Sequence, residues 1–358
     1  MRKKRAPSAV EGTSETSRRK ESQLRICLSE DVEMKEVPGF GQLHFVNLAL
    51  PELNLADVKT EIRFLGKELS APLIISAMTG GHREGERINR RMAKIAQEFG
   101  IAFCVGSMHA ALERPELART YQVRDVAPDV LLLANLSASQ LTEGKEVEEA
   151  RRAVEMIGAD GLSLHLNPLQ EAIQPEGKPV YAGVLSKIQR VCSGLGVPVM
   201  VKETGCGISG EIGERLEKAG VSAIDVAGAG GTSWAAVEAL RGGRLGRTYR
   251  DWGIPTPVCV AELARRVRVP IVAGGGIRSG LDAAKALALG AHAVAMALPL
   301  LRSAWKGEEN LREFLRGFID ELRLAMFLTG CRRVEDLRKT QLIPVGELAD
   351  WFRARRLM

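Results

Sequence analysis

Short apolar runs alternate with helix-like segments from residue 72 onward. Eight runs of strand length recur, covering residues 72–79, 101–107, 130–137, 161–167, 197–205, 223–230, 270–277 and 293–299. Between most of them, apolar residues recur at spacings of three and four, as at Ile88, Met92, Ile95 and Phe99 before Gly100. That spacing is typical of an amphipathic helix that ends at a glycine. The pattern therefore predicts eight strand-plus-helix units in succession.

Eight such units in about 230 residues predict an α/β fold, a closed (β/α)8 TIM barrel. An open, doubly wound sheet is the alternative. The barrel is favoured because polar residues recur at the carboxyl end of nearly every run. In a barrel the loops after all eight strands open on one face, where active sites lie. The sequence therefore predicts one site built from eight strand ends.

The chain divides into four predicted segments. They are a basic, disordered tail at 1–18, an N-terminal arm and bottom cap at 19–71, the catalytic barrel at 72–330, and a helical extension at 331–358. Residues 231–253, rich in Gly and Arg, predict a long sixth loop, which is either a functional lid or disordered. Residues 308–330 predict an amphipathic helix that completes the barrel.

Charge and cysteine usage exclude several classes. Residues 1–20 hold seven Lys and Arg and two Glu, which is +5 of the net charge of +6. The rest of the chain is therefore nearly neutral, and we predict no nucleic-acid partner. No run reaches the roughly 18 apolar residues that a membrane span needs, and no secretory signal is present, so we expect a cytoplasmic protein. The six cysteines form no CxxC pair, which favours reduced core residues over zinc ligands or disulfides.

The strongest chemical signal is the run Gly274-Gly275-Gly276-Ile277, followed about 20 residues later by Ala295-Met296-Ala297. Glycines at a strand end let backbone N–H groups approach a phosphate, and a helix beginning near Ser279 adds its positive end. The loops after strands seven and eight are the usual phosphate site of a barrel. Tight turns without a ligand are the alternative.

A second polar cluster follows the fourth strand, in the string His165-Leu-Asn-Pro-Leu-Gln-Glu171. Such side chains bind metals, phosphate esters or reacting groups, and burying them unpaired costs about 1 to 3 kcal/mol each. Glu171 is a candidate Mg²⁺ ligand, with a helix-start carboxylate as the alternative. His165 is either a site residue or a hydrogen-bonded core histidine.

Three further polar residues end other strands. Lys202 faces either a structural carboxylate or a negatively charged ligand atom. Asn135 and Thr79 suit the edge of a planar heterocycle, or they cap helices.

From about residue 19 to 325 the chain resembles the type 2, flavin-dependent isopentenyl-diphosphate isomerases. The similarity is carried by Ala77-Met-Thr-Gly-Gly81, Gly85-Glu-Arg-Ile-Asn89, the His165 to Glu171 string, Pro175-Glu-Gly177, Val201-Lys-Glu203, Gly230-Gly-Thr-Ser-Trp234 and Gly253-Ile-Pro-Thr256. The most specific strings are those ending at Glu171 and Trp234. The resemblance implies an FMN-dependent barrel that interconverts isopentenyl and dimethylallyl diphosphate, with flavin reduced by NAD(P)H acting as acid and base.

The resemblance also assigns the site residues. The flavin ring lies near Ala77, Met78, Thr79, Ser107, Asn135, Lys202 and Thr232, and its phosphate near Gly275, Gly276, Ile277, Met296 and Ala297. The prenyl diphosphate binds Arg19, Lys20, Ser107, Met108, His109 and Gln170. Mg²⁺ binds Glu171, and Gln170, His165 and Asn167 are catalytic. A homo-oligomer of four or more subunits is expected.

Three positions depart from the family pattern. Gln23 replaces the His of an Arg-Lys-x-x-His motif, His109 replaces an Arg after strand two, and Leu298 replaces an Arg after strand eight. We expect weaker substrate binding or an altered substrate.

Two other functions stay open. A related α-hydroxy-acid oxidoreductase needs a His after strand seven, and no His lies between Glu171 and Ala291. A flavin-binding or prenyl-phosphate-binding protein without turnover is the third class.

Overall fold

The structure is a computed structural model that describes residues 15–358. Of the predicted tail, residues 1–14 lie outside the described residues. Residues 15–18 belong to the first helix. The buried Ser17 hydroxyl fixes this part of the helix to the barrel, because it donates to the Gly81 carbonyl at 2.9 Å.

Within residues 15–358, twelve strands and thirteen α-helices follow one another. The strands are β1 Leu43–Phe45, β2 Ile62–Phe64, β3 Lys67–Leu69, β4 Leu73–Ile75, β5 Ala102–Cys104, β6 Leu132–Ser137, β7 Gly161–His165, β8 Val199–Lys202, β9 Ala223–Asp225, β10 Ile271–Gly274, β11 Ala293–Met296 and β12 Leu342–Pro344. The helices are α1 Glu15–Ser29, α2 Arg83–Phe99, α3 His109–Glu113, α4 Glu146–Ile157, α5 Pro168–Ile173, α6 Val184–Gly194, α7 Gly210–Lys218, α8 Trp234–Leu240, α9 Thr256–Ala264, α10 Gly280–Ala288, α11 Leu298–Lys306, α12 Glu308–Leu328 and α13 Gly346–Ala354.

Strands β4 to β11 form a closed parallel barrel in which β11 pairs with β4. The predicted (β/α)8 barrel is confirmed, and the open-sheet alternative is wrong. Each predicted apolar run contains one of these strands. Most strands end earlier than their runs, so the predicted polar positions fall largely on the loops that follow.

Side chains alternate between the barrel interior and the surrounding helices. Leu73 and Ile75 of β4 pack outward, whereas Ile74 packs inward with Ala102 and Leu133. At the carboxyl ends of β7, β8 and β9, the register aligns His165, Lys202 and Asp225 side by side. The interior is thus apolar below and polar at the carboxyl ends of the strands.

The segment predicted as arm and bottom cap divides between both ends of the barrel. The hairpin of β2 and β3 lies at the bottom, where the Lys67 ammonium donates to the carbonyls of Asp129 and Val130 ahead of β6. Helix α1 lies at the opposite end, because Ser17 and Lys20 bind the loops after β4 and β5. The hairpin thus lies where the bottom cap was predicted, whereas α1 lies at the end of the barrel that carries the loops after β4 and β5.

Other predicted segments also differ in detail. The long sixth loop contains α8, which begins at Trp234 because the Ser233 hydroxyl accepts the Ala236 N–H. Helix α12 confirms the predicted last barrel helix. The C-terminal extension contains α13 and also β12, which pairs antiparallel with β1, a strand that the apolar pattern did not reveal.

All six cysteines are free thiols, four of them buried, as predicted. Among the helices at residues 15–358, none has the length and apolar character needed to cross a bilayer.

Candidate active site

A single cavity opens at the carboxyl ends of the barrel strands. Among the residues that line it are Arg19, Lys20, Gln23, Ala77, Met78, Thr79, Ser107, His109, Asn135, His165, Asn167, Gln170, Glu171, Lys202, Thr232, Gly275, Gly276, Ile277, Met296, Ala297 and Leu298. The structure thus brings together every predicted site residue except Met108. The Met108 side chain is fully buried and packs in the core, because its residue directly precedes α3. The Met108 side chain therefore does not line the cavity, and its predicted substrate contact stays a prediction.

Two glycine loops form a cradle at one end of the cavity. A Cβ at Gly275 would lie 2.1 Å from the Gly228 carbonyl oxygen, and one at Gly231 would lie 2.8 Å from the Gly276 nitrogen. The loops touch only because both lack side chains. Among the described residues, the Gly276 N–H makes no backbone hydrogen bond outside the helices and strands. The backbone of this loop is available to an anion, as predicted for a phosphate.

The helix that follows contributes less to this cradle than predicted. The Asp282 carboxylate accepts the N–H groups of Arg278 and Ser279, at 3.0 and 3.1 Å. Asp282 thus occupies the donors just ahead of α10, and the Glu321 carboxylate accepts the first N–H of the helix, that of Gly280, at 2.7 Å. The backbone of the glycine loop, rather than the helix start, is what remains for the phosphate.

The middle of the cavity is lined by buried polar side chains from three strands. His165 Nδ1 pairs with Asn135 Oδ1 at 3.0 Å, and Lys202 donates to the Glu203 carbonyl. Burial, and then the Lys202 cation, hold the pKa of His165 well below its usual range, so this imidazole is neutral. The middle of the cavity therefore presents the Lys202 side chain beside neutral hydrogen-bonding groups.

Asp225 is aligned with Lys202 between β8 and β9, and the sequence analysis missed it. Its Oδ1 accepts the N–H groups of Ala227 and Gly274, at 3.1 and 3.0 Å, while its Oδ2 is buried without a hydrogen bond. Burial raises its pKa, and the Lys202 cation opposes that rise. A carboxylate in the otherwise apolar run 223–226 was the available signal.

The string after β7 forms the opposite wall. Gln170 Nε2 donates to Glu238 Oε1 at 3.3 Å, and Asn167 Nδ2 donates to Gln170 Oε1 at 3.2 Å. The amide of Gln170 is thus held from both ends. Glu238, fully buried on α8, also accepts from Gln23 at 2.8 Å and pairs with Arg241. Sequence reasoning missed Glu238, although a glutamate within the apolar helix Trp234–Leu240 was a visible signal.

Glu171 is a buried carboxylate surrounded by neutral donors. It accepts from the side chains of Gln140 at 3.1 Å and Asn167 at 3.3 Å, and from the Lys178 N–H at 3.1 Å. Among the described residues, no group of three His, Cys, Asp or Glu could hold a metal. A cation at Glu171 would therefore need oxygens from a ligand or from water, the usual arrangement for protein-bound Mg²⁺.

The positions that depart from the family pattern supply no positive charge. His109 Nε2 accepts the Ser137 N–H at 3.0 Å, and burial lowers the His109 pKa to about 4. The Gln23 amide is directed to Glu238. Leu298 begins α11 and is 4% exposed in the apolar core.

Together the barrel, the glycine cradle and the Lys202 side chain in the middle of the cavity are the features expected of a flavin-binding (β/α)8 enzyme. The family model for FMN-dependent dehydrogenases matches residues 135–344. A mandelate oxidase solved with an FMN adduct superposes with a TM-score of 0.63 at 22% identity, covering 91% of this chain and 92% of its own. That likeness concerns the fold.

Sequence relatives narrow the family. Isopentenyl-diphosphate delta-isomerases are 47% identical in Methanothermobacter thermautotrophicus, over 95% of this chain and 96% of the relative, and 45% identical in Nostoc sp., over 93% and 97%. A third, from Methanoregula boonei, is 48% identical over 92% and 94%. The chain belongs to the isopentenyl-diphosphate delta-isomerase family, on an FMN-dependent barrel.

Proposed function

We propose that this protein interconverts isopentenyl diphosphate and dimethylallyl diphosphate with reduced FMN. The observation that carries the proposal is one cavity that joins a glycine cradle for a flavin phosphate to a wall holding Gln170 and Glu171. The residues fit FMN, because a side chain at Gly275 would fill the cradle and Lys202 supplies a cation beside the ring region.

The reaction requires addition of a proton at one carbon and removal from another, without net redox change. Reduced FMN supplies the acid and base nitrogen when bound. The chain positions the reactants: Asn167 and Glu238 fix the Gln170 amide, which lies next to the substrate carbons in the proposed complex. Met78, Trp234 and Leu301 give this cavity apolar surface for the prenyl group and exclude water.

Arg19 and Lys20 on α1 would hold the diphosphate, and Glu171 would hold the Mg²⁺ that neutralises its charge. Because His109 is neutral and Gln23 binds Glu238, neither adds charge to the diphosphate. The cation on Glu171 therefore matters more here than it would beside an arginine. The proposal also includes NAD(P)H as the reductant, a cytoplasmic location and a homo-oligomer. These three points rest on the sequence resemblance.

The deciding assay uses purified, FMN-loaded protein with NADPH, Mg²⁺ and isopentenyl diphosphate under anaerobic conditions. Formation of dimethylallyl diphosphate is expected. A yellow protein that binds substrate without product would support the non-catalytic alternative. Oxidation of lactate or mandelate in air would support the α-hydroxy-acid alternative, which is disfavoured because the loop after β10, residues 275–279, contains no histidine.

Replacing Glu171 by Gln is expected to lower turnover roughly 100-fold and to raise the Mg²⁺ concentration needed for half-maximal activity. The change keeps the size of the side chain but removes the charge that attracts the ion. FMN content stays unchanged, because the glycine cradle is untouched. Turnover is measured across a Mg²⁺ titration.

Glu262→Gln is the matched control. Glu262 is also buried, at 2% exposure, and it accepts from Gly210 N and Arg355 far from the cavity. This variant is expected to lose stability while keeping the native Mg²⁺ dependence. An unchanged Mg²⁺ dependence in Glu171→Gln would show that Glu171 does not bind the metal.

A further inference from the structure

Lys20 is held at the mouth of the cavity by two protein groups. Its ammonium donates to the Ser107 carbonyl and to the Tyr121 hydroxyl, the latter at 2.9 Å. The same nitrogen lies 5.4 Å from the centroid of the Tyr121 ring. An ammonium has three N–H donors. Two are thus used by the protein, and one is left for a ligand.

Tyr121 is itself fixed by its surroundings. It is fully buried, and its hydroxyl donates to the Ser107 carbonyl at 2.8 Å. Its ring fills the space left by Gly80, where a Cβ would lie 2.0 Å from the Tyr121 Cε1 atom. Burial raises the pKa of the Tyr121 hydroxyl, so this group stays protonated and keeps its oxygen as an acceptor.

We propose that Tyr121 is a positioning residue that orients the Lys20 ammonium toward the substrate diphosphate. The inference rests on the proposed function, which assigns the diphosphate to Arg19 and Lys20. The Tyr121 hydroxyl accepts a hydrogen bond from one ammonium N–H, the Ser107 carbonyl accepts one from a second, and the third N–H is left for the diphosphate. Tyr121 does not touch the substrate.

The charges around Lys20 make this support important. Burial, and then the Arg19 cation, lower the pKa of Lys20 to about 7, while the Glu113 carboxylate opposes the decrease. The histidines that Lys20 influences, His82, His109 and His165, all have lowered pKa values. The nearby histidines are thus neutral near pH 7 and add no positive charge. The oxygens of Ser107 and Tyr121 accept hydrogen bonds from Lys20 and so favour its ammonium form.

The test is Tyr121→Phe, which keeps the ring beside Gly80 and removes the hydroxyl. Loss of one hydrogen bond is expected to weaken binding of inorganic pyrophosphate to the FMN-loaded protein about two- to tenfold. The KM for isopentenyl diphosphate rises by the same factor, whereas kcat and FMN content stay within about twofold. Titration calorimetry gives the affinity, and Tyr249→Phe, which removes a hydroxyl outside the cavity, is the matched control.

The pH dependence separates positioning from a general structural effect. Only the protonated amine attracts the anion, so the part of the affinity that Lys20 supplies is present below its pKa and is lost as pH rises through it. Without the tyrosine oxygen the ammonium is less stabilised, and the loss is expected at lower pH in Tyr121→Phe than in the native protein. The titration of pyrophosphate itself is common to both proteins and cancels in the comparison.

A double-variant cycle completes the test. In a Lys20→Met background, Tyr121→Phe is expected to have no further effect on pyrophosphate affinity. An additive loss, or an unchanged affinity and pH midpoint in Tyr121→Phe alone, would overturn the role of Tyr121 while native turnover still supports the isomerase. Absence of native turnover would instead overturn the proposed function, and the pyrophosphate titration would still report on Lys20 and Tyr121.

Discussion

FMN is expected to bind the Gly275→Ala variant about 100-fold more weakly than the native protein, a loss of about 2.7 kcal/mol in binding free energy. The added Cβ would lie 2.1 Å from the Gly228 carbonyl oxygen, and backbone on both sides leaves no flexible atom to move aside. The loops after β9 and β10 must separate. The N–H groups of the cradle then no longer converge on one phosphate.

The measurement is a fluorescence titration of apoprotein with FMN, together with the melting temperature of the apoprotein. Gly242→Ala is the control, because Gly242 also has a positive φ, +106°, but a Cβ there meets no atom within 4 Å. Both substitutions carry a backbone penalty of about 1 to 2 kcal/mol. Native FMN affinity in Gly275→Ala would show that the phosphate binds elsewhere.

The second large effect is expected for Gln170→Ala, with turnover reduced about 100- to 1,000-fold and FMN retained, within the range for a group that assists proton transfer. The Gln170 amide is held between Asn167 and Glu238, so it presents a fixed dipole to the cavity. Truncation removes that dipole and leaves the cradle intact. Single-turnover kinetics with reduced enzyme measure the chemical step.

Gln23→Ala distinguishes the two amides that share one carboxylate. Gln23 donates to the same Glu238 oxygen at 2.8 Å from α1. If Gln170 acts directly, Gln23→Ala loses less than about tenfold, the effect of one neutral hydrogen bond. Equal losses in both variants would indicate that turnover depends on Glu238 rather than on Gln170. Unchanged turnover in Gln170→Ala would remove this residue from the mechanism.

Glu238 shows why the departures from the family pattern do not leave polar groups unpaired. The carboxylate is fully buried, and Gln23, Gln170 and Arg241 together satisfy its oxygens. A buried carboxylate without such partners would be costly. The amide at position 23 therefore links α1 to α8, and it joins the N-terminal arm to the wall that holds the proposed catalytic amide.

The barrel and the glycine cradle were predictable because both depend on local sequence. The period of apolar residues identifies strands and helices, and the glycines of 274–276 report a close backbone approach directly. Asp225 and Glu238 were visible as charged residues in apolar surroundings. The roles of Asp225 and Glu238 in the site were not predictable, because the sequence position of a carboxylate does not reveal its hydrogen-bond partners.

The placement of α1 and the protonation of its lysine were decided by tertiary structure. Lys20 meets Tyr121 across 101 positions, and Gln23 meets Glu238 across 215. The same holds for the neighbours Met108 and His109, of which one packs in the core and the other lines the cavity.

The sequence by itself therefore determined the eight-stranded barrel, the face that carries the site and the family of the chain. Only the tertiary structure decided which side chains are paired, oriented and charged. The physical reason is that strand and helix periodicity are properties of adjacent residues. Desolvation and hydrogen bonding instead depend on groups that folding brings together from distant parts of the chain, as at His109, where burial lowers the pKa to about 4.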